Sequence, residues 1–149
     1  MKVLIVEDEA LLAMELEYEV EAAGHEVVAQ AASLGAAINA VEKTRVDLAL
    51  VDIQLLDGPT GVDVGRHLFA SGIPYAFVSG NLKRIPEDFA GAIGAIEKPY
   101  TSNGIQNALR FLSDYINGDK AALPPPSLAL VRKDHPTSTT PCRERSQAG

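Results

Sequence analysis

Residues 1–118 alternate between two hydrophobic periodicities. Short apolar runs occupy residues 3–6, 27–32, 48–51, 75–78 and 93–96, each the length of a strand buried on both faces. Helical stripes lie between several of them. Leu34, Ala37, Ile38 and Val41 fall at i, i+3, i+4 and i+7, as do Ile105, Ala108, Leu109 and Leu112, with Ile116 continuing the second stripe. The stretch "MELEYEVEA" (14–22) is less clear-cut, because its strict alternation fits a strand. Its Glu, Leu, Ala and Met content and its length favour a helix with Leu12, Leu16, Val20 and Ala23 inward, ended by Gly24. Alternating strands and helices predict an open parallel sheet with helices on both faces. Right-handed crossovers bring every strand's C-terminal end to one edge, where such sheets bind ligands.

Polar residues collect at that edge. The first run ends on Glu7-Asp8-Glu9, the third on Asp52, the fourth on Ser79-Gly80-Asn81 and the fifth on Glu97-Lys98-Pro99. Singly, each has an ordinary reading: an acid at a helix N-terminus, loop polarity after a strand, a turn serine, a solvated lysine. Jointly, topology brings them together from four distant segments. Glu7, Asp8 and Asp52 cannot all stay ionised at close range without a cation. Hard oxygen ligands at a sheet mouth suit Mg²⁺, which shares its shell with phosphate oxygens. Ser79 is placed to donate to a phosphoryl oxygen, Gly80 leaves room for it, and Lys98 offers a balancing charge. Such a set suits phosphoryl transfer onto a carboxylate, with Asp52, from the central strand, as the nucleophile.

Composition narrows the partners. The formal net charge is −7, Trp is absent and aromatics are few, which argues against nucleic acid as a partner and against a base-stacking surface. One cysteine, Cys142, excludes an internal disulfide, and His25, His67 and His135 lack metal-ligand spacing. No run approaches membrane-spanning length, and "MKVLIVEDEA" turns acidic too early for a signal peptide. A cytoplasmic protein is expected. The character of the chain changes near Gly118. Residues 1–118 carry eight basic against seventeen acidic side chains, whereas residues 119–149 carry five against three and hold five of the nine prolines. That predicts a domain over 1–118 and a disordered tail over 119–149, with "SLALV" (127–131) the one segment suited to docking.

"LIVEDE", "LVDIQLLDGPTG", "FVSG" and "EKPY" resemble, in order and spacing, the motifs of the response-regulator receiver domain. The resemblance implies a flavodoxin-like (βα)5 doubly wound fold, a five-stranded parallel sheet in the order 2-1-3-4-5. It implies that Asp52 is the phosphoacceptor, served by a sensor histidine kinase or a histidine phosphotransfer protein, with Ser79 and Lys98 binding the phosphoryl oxygens. Asp8 and Asp52 would bind Mg²⁺ directly, Glu7 through a water, and the backbone carbonyl of Gln54 would complete the protein ligands. The Lys98–Pro99 peptide would be cis. Such a protein is no enzyme beyond its own phosphorylation and dephosphorylation. As a stand-alone regulator it would act by contact with a downstream protein, or serve as a relay or phosphate sink.

Two departures stand out. Ala95 sits three residues before the lysine, where receivers usually carry Tyr or Phe. The segment between Asn81 and Ile93 is short and contains Pro86, so a fourth helix starting there is limited to about two turns. "FVSGNL" partly resembles the Phe-Ala-Thr-Gly signature of a stand-alone subgroup without the ordinary aromatic switch, and the change on phosphorylation is expected in residues 79–92. Tyr100 reads as a packing residue. Two rival functions fit less well. A haloacid-dehalogenase-type phosphatase would place an acid where Gln54 stands, and a flavin or nucleotide module would place a phosphate loop where this chain has "EDEA".

Overall fold

A computed structural model describes residues 1–119 and 121–130. Five parallel strands form the centre: β1 (Lys2–Val6), β2 (Glu26–Ala31), β3 (Leu48–Val51), β4 (Tyr75–Ser79) and β5 (Gly94–Glu97). Their order is β2-β1-β3-β4-β5, so β1 lies beside both β2 and β3 and the strand order reverses there. That crevice is where an open sheet accepts a ligand. Strands β1, β3 and β4 are buried on both faces because helices cover both sides.

On one face lie α1 (Ala10–Ala22) and α4 (Ser102–Ile116), and on the other α2 (Leu34–Lys43) and α3 (Gly61–Ala70). The ambiguous acidic stretch is helical, with Ala13, Leu16 and Val20 buried and Leu12 and Ala23 only partly so. Gly24 ends it with φ +89°, a conformation that costs glycine nothing. In α4 the predicted stripe is the buried face, and the Thr101 hydroxyl accepts the Gly104 N–H at 2.9 Å as N-cap. Among the described residues no helix is long and apolar enough to cross a membrane.

Two expectations need correction. First, no α-helix lies between β4 and β5. The segment forms two 3₁₀ turns, Leu82–Arg84 and Phe89–Gly91. Pro86 cannot donate a backbone hydrogen bond, and Phe89 and Ala90 take left-handed φ values of +54° and +49°. The Ala90 carbonyl accepts the Tyr75 hydroxyl, and the Phe89 carbonyl accepts both the Ala92 N–H at 2.8 Å within the turn and the Tyr75 hydroxyl at 3.2 Å. Asp88 caps the turn by accepting the Ala90 N–H at 2.9 Å and pairs with Arg66 at 3.4 Å. Each anchor offsets part of the strain of two non-glycine residues at positive φ.

Second, the expected disordered tail is ordered where it is described. A sixth strand, β6 (Leu128–Leu130), pairs antiparallel with β5 and extends the sheet. Leu128 is buried in the same core as Ile105, Leu109 and Leu112. A proline-rich composition masked one apolar anchor sufficient to dock the segment. Residues 131–149, including Val131 of "SLALV", lie outside the described residues.

Candidate functional site

The chain delivers four functional segments to the C-terminal edge. Backbone hydrogen bonds fix two of them: Glu7 N–H donates to Ala31 O at 2.9 Å, and Asp52 N–H donates to Val6 O at 2.9 Å. The carboxylates of Glu7 and Asp52 are thereby carried one residue past their strands while the backbone stays tethered. Both residues are nearly buried, 8% and 9% exposed. One oxygen each from Glu7, Asp8 and Asp52 lies within 4.8 Å of the others. Hard oxygen groups gathered this closely are of the type that a hard divalent cation takes as ligands.

Lys98 balances part of this charge. Its ammonium donates to Asp52 Oδ2 at 3.1 Å and to Glu7 Oε1 at 3.2 Å. Burial pulls the lysine pKa down, but the hydrogen bond and charge of Asp52, then those of Glu7, outweigh it and hold the pKa above the usual value. Burial pushes the Glu7 carboxyl up. The Glu9 N–H bond opposes this, the Asp52 charge adds to it, and Lys98 pulls it back. The other Asp52 oxygen, Oδ1, accepts the Ile53 N–H at 2.8 Å, which fixes the plane of the carboxylate.

Ser79 ends β4 and is buried, but its hydroxyl is engaged with Asn81, accepting its N–H at 3.1 Å and donating to its carbonyl at 3.3 Å. It therefore sits at the edge with its hydrogen bonds directed to its own turn. The Ser79 carbonyl accepts the Lys98 N–H at 2.8 Å, which couples the serine and lysine strand ends. The Lys98–Pro99 peptide is cis. Tyr100 packs half-buried against the α1–α4 core. Burial, then the charges of Glu15, Glu19 and Glu7, push its hydroxyl up to about 12.

Gly61 and Arg84 belong to the site, although sequence reasoning gave them no role. Gly61 opens α3, and a Cβ there would collide with the backbone of Asp52 and Ile53. The loop that carries Asp52 therefore requires glycine at its return, and the only sequence signal was the last letter of "DGPTG". Arg84 Nη1 donates to Gln54 Oε1 at 3.2 Å and ties the turn after β4 to the loop after β3. Gln54 is exposed. Asp57 anchors that loop by accepting the Thr60 hydroxyl at 2.5 Å and the Leu34 N–H at 3.2 Å. Its Thr60 bond is the main cause that holds its carboxyl below the usual range.

Comparison with known proteins agrees with this geometry. The family described as "Response regulator receiver domain" matches residues 3–110. The phyllosphere-induced regulator PhyR of Methylorubrum extorquens is 40% identical over 85 residues, which cover 56% of this chain and 32% of that protein. The chain thus spans about a third of the curated relative it matches. Among solved structures, the Erythrobacter litoralis PhyR receiver domain is similar with a TM-score of 0.70 and 30% identity, covering 81% of this chain and 95% of that one. SdrG from Sphingomonas melonis Fr1 is similar with a TM-score of 0.61 and 30% identity, covering 76% and 96%.

Proposed function

The chain belongs to the response regulator receiver domain family, and on that premise we propose that Asp52 accepts a phosphoryl group from a phosphohistidine. The donor is a sensor histidine kinase or a histidine phosphotransfer protein in the cytoplasm, and the phosphorylated form acts by contact with a downstream protein. One observation carries the reading above all. The Asp52 carboxylate stands at the end of a central strand with one oxygen fixed by a backbone N–H and the other against a partly buried ammonium.

In the transfer, a carboxylate oxygen of Asp52 attacks phosphorus and the phosphorus–nitrogen bond breaks. The imidazole nitrogen leaves with the electron pair and takes a proton. Catalysis of this step is mostly positioning and charge neutralisation. The Ile53 N–H holds the carboxylate in one orientation, and Lys98 stands ready to follow the charge onto a phosphoryl oxygen. Ser79, at the same edge, would turn its hydroxyl from Asn81 toward the same group. The carboxylate cluster suits Mg²⁺, which Asp8, Asp52 and the Gln54 carbonyl would hold directly and Glu7 through a water. When bound, the ion offsets the charge of the carboxylates and of the incoming phosphoryl oxygens. The phosphatase alternative finds no support, since Gln54 is no acid and its side chain is engaged with Arg84.

Intact-mass measurement after incubation with acetyl phosphate tests the proposal. One added phosphoryl group is expected with Mg²⁺ and none with EDTA or in Asp52→Asn. Incorporation that survives in Asp52→Asn refutes the assignment.

A further inference from the structure

An exposed edge strand offers a row of unpaired backbone groups to any extended chain. In this protein β5 would be that edge, and β6 covers it. The pairing is brief: Gly94 faces Leu130, Ala95 faces Ala129 and Ile96 faces Leu128. Only Leu128 is fully buried, 4% exposed; Ala129 is exposed, and Leu130, with Ala122 upstream, packs half-buried against the same core. One polar tether adds to it, the Ser127 hydroxyl donating to Gly104 O at 2.8 Å.

The receiving surface is shaped for an extended segment. A Cβ on Gly94 would collide with the Ala129 carbonyl, and one on Gly104 would come within 3.3 Å of Ser127 Cβ. Both glycines lie in the domain, on β5 and in the first turn of α4, so the slot is a property of the domain and not of the strand that fills it. It ends in a cleft of about 380 Å³ that Lys98, Pro99 and Thr101 share with Pro126 and Ser127. The segment before it, "LPPP" (123–126), includes three prolines without N–H donors, which add no ladder of their own.

We infer that residues 127–130 are a displaceable strap over a strand-binding site. The site takes an extended partner segment antiparallel to β5, with a hydroxyl residue followed by apolar, small and apolar residues. A short edge strand with one buried anchor is replaced by another of the same pattern with little net change in contacts, which is the condition for exchange by β-augmentation. The slot's geometry stands whether or not Asp52 is the phosphoacceptor.

The test uses the full chain. Leu128→Asp places a carboxylate in the apolar slot and should release the strap, seen as lost amide protection at residues 128–130. A synthetic peptide, PPPSLALVRK, with the sequence of residues 124–133, is then titrated into ¹⁵N-labelled protein. Shift changes at Gly94, Ala95, Ile96 and Gly104 are expected in Leu128→Asp, at an affinity at least about tenfold tighter than in the parent. Adding Gly94→Val should abolish them. The inference is overturned if the released edge binds no peptide, if parent and variant bind alike, or if binding survives Gly94→Val. Should Leu128→Asp not fold, Leu128→Ala serves the same comparison, and retention of full strap protection there overturns the claim that Leu128 is the anchor.

Discussion

Removing the Lys98 ammonium gives the sharpest test of the site's electrostatics. Its side chain is 18% exposed, against 5% for Glu7 and 11% for Asp52. Lys98→Ala leaves two nearly buried carboxylates facing each other with their shared partner gone. Breaking a fully buried pair costs about 3–5 kcal/mol, because a charge is left uncompensated. Here the site opens to solvent at the sheet edge, which places the expected loss lower, at about 2–3 kcal/mol. For a domain of this size that lowers Tm by roughly 10 °C. Urea unfolding in EDTA measures it, since EDTA keeps divalent ions from replacing the ammonium. Glu7→Gln in the same background removes one of the two repelling charges and should recover at least about 1 kcal/mol, a coupling that a double-mutant cycle isolates. Millimolar Mg²⁺ should stabilise Lys98→Ala more than the parent, as linkage requires when the cation binds only the folded site. If Lys98→Ala/Glu7→Gln is no more stable than Lys98→Ala, repulsion between the carboxylates is not what Lys98 offsets, and the reasoning is wrong.

Gly61→Ala should destabilise the fold by about 1–3 kcal/mol and slow phosphate incorporation at Asp52, since the collision is with backbone that no rotamer change relieves; urea unfolding and a mass time course read the two effects. Tyr75→Phe should cost about 1–3 kcal/mol and speed amide exchange over residues 88–92, because the phenol holds the left-handed turn through the Phe89 and Ala90 carbonyls. Asp47 has its carboxyl held below the ordinary 3.8, chiefly by the Lys2 N–H. A depressed folded pKa gives stability that is full above the ordinary value and is lost as pH falls through the folded one. Asp47→Asn should therefore flatten the acid-unfolding profile below about pH 4, where that carboxyl titrates.

The parallel core and the acidic edge were legible in the sequence for one reason. Both rest on signals spanning many residues, namely apolar runs of strand length and stripes at helical spacing, each ending in a polar group. Asp52 and Lys98 meet because β3 and β5 end at the same edge, so their meeting follows from topology. The direct Glu7–Lys98 contact did not follow, because it depends on how one long side chain lies among three acids. Gly61 was likewise hidden. Its role comes from a close approach of α3 to the Asp52 loop, a fact of packing that no periodicity records. The alternating acidic stretch in α1 was resolved by burial, not by pattern: Ala13 rather than Leu12 is buried beside Leu16 and Val20.

The two misread segments have a common physical origin, the coverage of β5. A fourth helix ordinarily would be one flank of that strand, and the short segment with Pro86 supplies only a pair of 3₁₀ turns. That leaves Ala95, with no ring to fill space, against a turn whose Ala90 and Ala92 are small and buried. The strand's outer edge is then sealed by β6 instead, with Leu128 reaching the core on the face of α4. The same strand carries Lys98 immediately beyond its end, and Arg84 ties the first 3₁₀ turn to the loop after Asp52. A rearrangement at the site thus has two physical routes outward: through the Ser79–Arg84 turn, held by a handful of polar contacts, and along β5 to a three-residue strap. Each is short and holds a single buried side chain, Ser79 in the turn and Leu128 in the strap, so both should open at a lower free energy than the core strands.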